Sequence, residues 1–240
     1  GPLVGHELES HSHLDALSFL AFGRGVPLAI EAGLSLTSYD DPLYRTWFRS
    51  AHAHNMVVVD GEAPDEATRE ADLLAWFVSP AVDLFQAEHG GYNARGVNHR
   101  RLILFVHDAY WLIYDELALR GRHHLEWLLY SPHGFTLENG RMQPDRAPGL
   151  MAIPILPEGA RRIAPVEGVM DVPGPRAYEG ASERRLVKGM SHIQETDAPR
   201  AAYMHLLYPA ATANELAQVE AIPIKVRGAQ AAGCRIRTLD

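Results

Sequence analysis

Cysteine is nearly missing. Cys234 is the one thiol in 240 residues, so no internal disulfide braces the fold. An excess of basic charge is missing too. With 30 acidic against 22 basic side chains the formal net charge is −8, and no Lys/Arg cluster appears. That removes the electrostatic footprint of a nucleic-acid binder. An acidic substrate would have to meet a local basic pocket rather than a general field. No apolar run reaches the roughly 18 residues that a membrane span needs. No signal peptide is read at the start, which is abrupt enough to suggest the downstream piece of something longer. There is no Gly-x-Ser-x-Gly for a serine nucleophile and no Gly-rich phosphate loop. No internal repeat or low-complexity tract appears either. What remains is 47% apolar and 22% charged, ordinary for a soluble globular chain.

Histidine is what the chain has in plenty, 13 in all. The densest stretch is His11-Ser12-His13-Leu14-Asp15. Read as a strand, side chains alternate, so His11, His13 and Asp15 share one face, neighbours about 7 Å apart. Leu17, Phe19 and Ala21 continue that face as an apolar stripe, although Leu14, Leu17 and Ala21 would also suit a helix. Two imidazoles on one face serve a divalent metal, or proton transfer near neutral pH.

Further strands follow. Val26-Pro27-Leu28-Ala29-Ile30 is short and apolar and delivers Glu31 beside Gly33. Residues 38–50 mix aromatics with arginines, a loop with a helical turn near Pro42 that could line a sugar cleft. His52 and His54 then precede the β-branched run Val57-Val58-Val59, and Asp60-Gly61 is a turn. The two histidines should share a face, repeating the opening design. From Leu73 to Tyr130 a meander is expected, with Arg101–Val106, Tyr110–Asp115 and His124–Tyr130 as clear strands. The frequent prolines and glycines between 131 and 200 predict short strands and long loops there. Later strand candidates are Arg184–Gly189, Ala201–Tyr208 and Cys234–Leu239, and Asn214–Glu220 suggests a helical turn. Strands at such intervals predict an all-β chain, an antiparallel β-sandwich (supersandwich-like) with long loops, over 1–240 as one domain.

His13, Glu31 and His54, each at a different strand end, make a candidate tetrahedral zinc shell with one position left open. Asp15 or Asn55 could orient an imidazole from behind, and His11 would stay free as a base or donor. A non-haem iron triad is the competing metal reading, through His13-Leu14-Asp15 with His54 or a later histidine. A cupin-type site needs a Glu soon after His-x-His, and none precedes Glu31. Asp115 and Trp111 read as structural. His99, Arg100 and Arg101 could contact an acidic substrate, although a strand-start charge cluster is the simpler reading.

Taken together, His11-Ser12-His13-Leu14-Asp15-Ala16-Leu17-Ser18-Phe19, Pro27-Leu28-Ala29-Ile30-Glu31-Ala32-Gly33, Phe48-Arg49-Ser50 and His54-Asn55-Met56-Val57-Val58-Val59-Asp60-Gly61 resemble the heparinase II/III-like polysaccharide lyases. Tyr110–Asp115 and Glu126-Trp127 add to the resemblance, which covers roughly residues 1–130. It implies an N-terminal α/α toroid followed by a β-sandwich, of which this chain resembles only the second part. The implied reaction is β-elimination on an acidic, uronic-acid polysaccharide or oligosaccharide, outside the cytoplasm (periplasmic or secreted). His11 would be the active-site histidine, and His13, Glu31 and His54 would hold a structural Zn2+. Asp15, Arg49 and Asn55 would support those ligands or touch substrate. The family's catalytic tyrosine belongs to the toroid, so the module should be inactive alone. The other expectation, from a different class, is a non-catalytic carbohydrate-binding or structural sandwich.

Overall fold

The computed structural model describes residues 13–33, 40–68, 70–156, 162–173, 182–212, 215, 219–225 and 232–238. His11 lies outside the described residues, as do 214 and 216–218 of the expected helical turn Asn214–Glu220, whose last two residues are strand instead.

The first strands among the described residues are β1 (Ala21–Gly23) and β2 (Val26–Ala29), a hairpin joined by Arg24-Gly25, both at positive φ. Single helical turns follow at Tyr44–Phe48 and Ala51–Ala53, then β3 (Val57–Val59). The meander continues as β4 (Ala71–Val78), β5 (Val82–His89), β6 (Val97–Val106), β7 (Tyr110–Leu119) and β8 (His123–Ser131). Next come β9 (Phe135–Glu138), β10 (Arg141–Pro144), β11 (Gly149–Leu156), β12 (Arg162–Pro173), β13 (Ser182–Thr196) and β14 (Arg200–Ala210). A last hairpin pairs β15 (Val219–Lys225) with β16 (Ala232–Thr238). Three two-residue turns, Arg24-Gly25, Asp60-Gly61 and Asn139-Gly140, have both residues at positive φ. That twist suits tight hairpins.

All strand pairs among the described residues are antiparallel; besides the two separate hairpins they form a large sheet ordered β4-β5-β6-β7-β14-β11-β10-β9 and a small one ordered β12-β13-β8-β3. Alternation explains the packing. On β7, Ile113, Asp115, Leu117 and Leu119 point inward and are buried. On β8, Leu125, Trp127 and Leu129 face them from the small sheet, and one continuous core runs between the two sheets. The opposite face of β8 is buried as well. Leu128 and Tyr130 lie under Ile30, Ala32, Ala51 and Met56, so residues 30–32 and 51–56 roof the outside of the small sheet. Among the described residues no helix is long and apolar enough to cross a membrane.

Three sequence expectations need correction. Residues 13–20 are not a strand but an irregular turn, closed by the Ser18 N–H on the Asp15 carbonyl (2.9 Å), with Leu17 at φ 64°. Extended structure begins only at Ala21. The strands after 131 are not uniformly short: β12 has 12 residues and β13 has 15, paired along the whole of β12. Prolines are tolerated because β12 is an edge strand, so Pro165 need not donate to a second neighbour. Pro154 sits where the β11 register slips. Finally, His99 and Arg101 are fully buried and cannot meet a polysaccharide. Arg100, on the other face, pairs with Glu88 (3.0 Å).

Candidate metal centre

Three chain segments meet on the roofed side of the small sheet. The turn at 13–18 carries His13 and Asp15, the end of β2 carries Glu31, and the segment between the second helical turn and β3 carries His54. Ligand-capable atoms of His13, Asp15 and His54 all lie within 4.8 Å of one another. Glu31 Oε2 is in direct contact with His54 Nδ1, and Glu31 Oε1 accepts a hydrogen bond from Ser18 Oγ (2.5 Å). Asp15 Oδ2 is 3.8 Å from the same imidazole nitrogen. The His13 and His54 rings meet edge to face, centroids 5.2 Å apart.

His54 is buried and held on every side. Its Nε2 is buried on the side of the Phe48 carbonyl, away from Glu31. Gly33 leaves room for the ring: a Cβ there would sit 2.5 Å from His54 Cε1 and 2.8 Å from the Phe48 carbonyl oxygen. Burial pulls the His54 pKa down, but the Glu31 hydrogen bond and charge, the Asp15 charge and the Phe48 carbonyl outweigh it, so the net shift is upward. His13 shifts the other way. Burial lowers it most, with His54 and Arg49 adding to that, against Asp15 and Glu31. One imidazole with its lone pair available and one drawn to two carboxylates make a donor set that suits a divalent cation.

Of the set His13, Glu31 and His54 expected from sequence, His13 and His54 fall in the cluster, and Glu31 adjoins it through its contact with His54. Asp15, expected to orient an imidazole in the zinc reading and to be a ligand beside His13 and His54 in the iron reading, stands among the candidate ligands. Arg49 lies near His13, close enough to lower its pKa. Asn55 does not orient an imidazole. Its buried side chain donates to the carbonyls of Phe19 (2.8 Å) and Ile30 (2.9 Å) and accepts from the Tyr130 N–H (2.8 Å). His52 does not share a face with His54. The helical turn at 51–53 swings it to Glu126 (3.8 Å), which also holds His124 (3.1 Å) and Ser191 (2.9 Å). His52 leads in lowering the Glu126 pKa to about 2. Sequence reasoning missed Ser18, Gly33 and Glu126. The spacing of two histidines around Ala53 carried no sign that they would part.

The family described as heparinase II/III-like, C-terminal, matches residues 1–146. No curated protein matches the chain at a significant level. Among solved structures, a mutant heparan sulfate lyase from Pedobacter heparinus is similar at a TM-score of 0.76 and 14% identity, over 95% of this chain and 37% of its own. Another structure of the lyase from that organism gives 0.75 and 16%, over 92% of this chain and 34% of its own. A structure titled heparinase III gives 0.73 and 17%, over 96% and 36%. At these identities the likeness establishes the sandwich fold. The chain spans little more than a third of the length of these lyases.

Proposed function

This chain belongs to the heparinase II/III-like family, and on that premise we propose that it forms the β-sandwich wall of a polysaccharide lyase acting outside the cytoplasm. The substrate class is an acidic, uronic-acid-containing polysaccharide, cleaved by β-elimination. In that reaction a proton leaves C5 beside the carboxylate and the C4 glycosidic oxygen departs as a 4,5-unsaturated sugar forms. Charge grows on the carboxylate as the proton leaves, so the site must supply cationic or hydrogen-bond stabilisation as well as a base and an acid. On this wall His11 is the active-site histidine and Arg49 the cation for the substrate carboxylate. An α/α toroid supplies the facing wall and the catalytic tyrosine, so the module alone does not turn over.

His13, Glu31 and His54 hold a Zn2+ ion, with Asp15 beside them as a further donor. When bound, the ion cross-links the three segments that form the wall, which is a structural duty. The convergence of two imidazoles and two carboxylates from those segments is the observation that carries this reading, because a sandwich with only a structural role has no use for it. Elemental analysis of the chain and of His13→Ala tests it. About one zinc per chain, lost in the variant, is expected. No metal in either would sink the reading, and iron would point to an oxygenase instead. An unsaturated-uronide absorbance assay tests the division of labour: turnover should need the toroid, and robust turnover by this chain alone would contradict it.

A further inference from the structure

We propose that Arg101 and Asp115 form a buried clamp that positions the metal-binding loops before the ion arrives. The proposal rests on the metal reading above and adds positioning residues to it. Arg101 on β6 and Asp115 on β7 face each other directly across the ladder, both fully buried. The two Asp115 oxygens accept four hydrogen bonds. Oδ1 takes Arg101 Nε (2.7 Å) and His99 Nε2 (2.6 Å), and Oδ2 takes Arg101 Nη2 (3.0 Å) and Trp127 Nε1 (2.8 Å).

A second tier fixes the first. His89 Nδ1 accepts the Gly91 N–H (3.2 Å), so its proton sits on Nε2 and is donated to His99 Nδ1 (3.0 Å). His99 must then carry its own proton on Nε2, the nitrogen aimed at Asp115. Every polar group around the carboxylate is assigned, and the guanidinium plane has no freedom left.

Besides a second N–H on Nη2, that plane leaves over Nη1, with two N–H groups of its own. They go to the carbonyl oxygens of Leu17 (2.6 Å) and Asn55 (2.8 Å). Leu17 lies two residues after Asp15, and Asn55 directly follows His54. One nitrogen of one side chain therefore ties together the two segments that bring His13, Asp15 and His54 to the site. Leu17 itself is held at φ 64°, a conformation a leucine avoids unless its surroundings impose it. Stability alone does not explain a buried ion pair here, since apolar residues of similar volume commonly serve a core as well or better. Apolar residues could not hold two carbonyls from two different loops. Outer partners of this kind keep ligands in geometry and weaken metal binding when lost.

The test is Zn2+ affinity by chelator competition, with the visible spectrum of the Co2+ form, on wild type, Arg101→Lys and Leu150→Ala. Lysine keeps the charge and loses the fork. Leu150→Ala damages the same core far from the clamp. All three are measured at a temperature where circular dichroism shows them folded. Arg101→Lys should lower Zn2+ affinity about 10–100-fold and change the Co2+ spectrum, while Leu150→Ala keeps wild-type values. Arg101→Lys binding within about twofold of wild type, the tenfold step being 1.4 kcal/mol, would overturn the clamp, as would an equal loss in Leu150→Ala. Should Arg101→Lys not fold, hydrogen exchange on wild type decides. Coupling is reciprocal, so Zn2+ must slow exchange in β6 and β7 as well as in 13–20 and 54–56. Protection confined to the loops overturns the proposal. If wild type binds no metal at all, the reading beneath it has failed, and the variants are not needed to show it.

Discussion

Asn55→Ala removes a fully buried amide that makes three hydrogen bonds, two donated to carbonyls and one accepted from a backbone N–H. Alanine fills none of these roles, and the site has no solvent exposure to compensate. Each buried group left unsatisfied costs about 1–3 kcal/mol. With some relaxation into the new space, the three together should cost roughly 3–5 kcal/mol, a large share of the usual 5–15 kcal/mol. Urea unfolding followed by tryptophan fluorescence is the assay. With a slope of about 2–3 kcal/mol per molar, the midpoint should fall by roughly 1–2.5 M. Asn55→Asp sharpens the test. It is nearly isosteric and still accepts from Tyr130, but it sets a carboxylate oxygen against the Phe19 and Ile30 carbonyls. It should destabilise at least as much as alanine, although no volume is lost. If both variants stay within about 1 kcal/mol of wild type, below the cost of even one orphaned group, these segments are held by packing and the reasoning is wrong.

Three further outcomes follow from the same geometry. Gly33→Ala drives a methyl into the His54 ring and the Phe48 carbonyl; it should cost about 1–3 kcal/mol as an overpacked site and weaken Zn2+ binding, and wild-type affinity in a chelator competition would contradict this. Burial, with His99 and Arg101 nearby, pushes the His89 pKa down to about 3. The unfolded chain then binds the extra proton, so His89 draws stability down by about 1.4 kcal/mol per pH unit as pH falls from about 6.5 to 3. His124, raised first by its hydrogen bond to Glu195 and then by Glu126, carries the opposite sign, so the difference between wild type and His89→Gln isolates the term; parallel stability–pH curves would refute it. On the edge strand β4, Trp76 is 67% exposed and Phe77 55%. Phe77→Lys should shift stability by less than about 0.5 kcal/mol yet lower light scattering at high concentration, because a charge blunts an open apolar edge; unchanged scattering would count against that.

Local pattern carried most of the secondary structure. The strand at Tyr110–Asp115, the β-branched run at Val57–Val59 and the turn at Asp60-Gly61 need only neighbours in sequence, and they announced an antiparallel sandwich. Residue type also nominated His13, Glu31 and His54, because imidazoles and carboxylates are conspicuous wherever they stand. Three things were settled by tertiary contact alone. The turn at 13–18 replaced an expected strand because Leu17 is held in the left-handed region and its carbonyl is tied to Arg101, a residue 84 positions away. His52 was diverted to Glu126 by another turn, at 51–53. Arg101 and Asp115 look in sequence like any charged residues on a meander. Only the pairing of β6 with β7 seals them together in the core and leaves one nitrogen to hold two loops. Periodicity is a property of adjacent residues and can be read from them, whereas a buried charge is defined by partners that the sequence scatters and the fold collects.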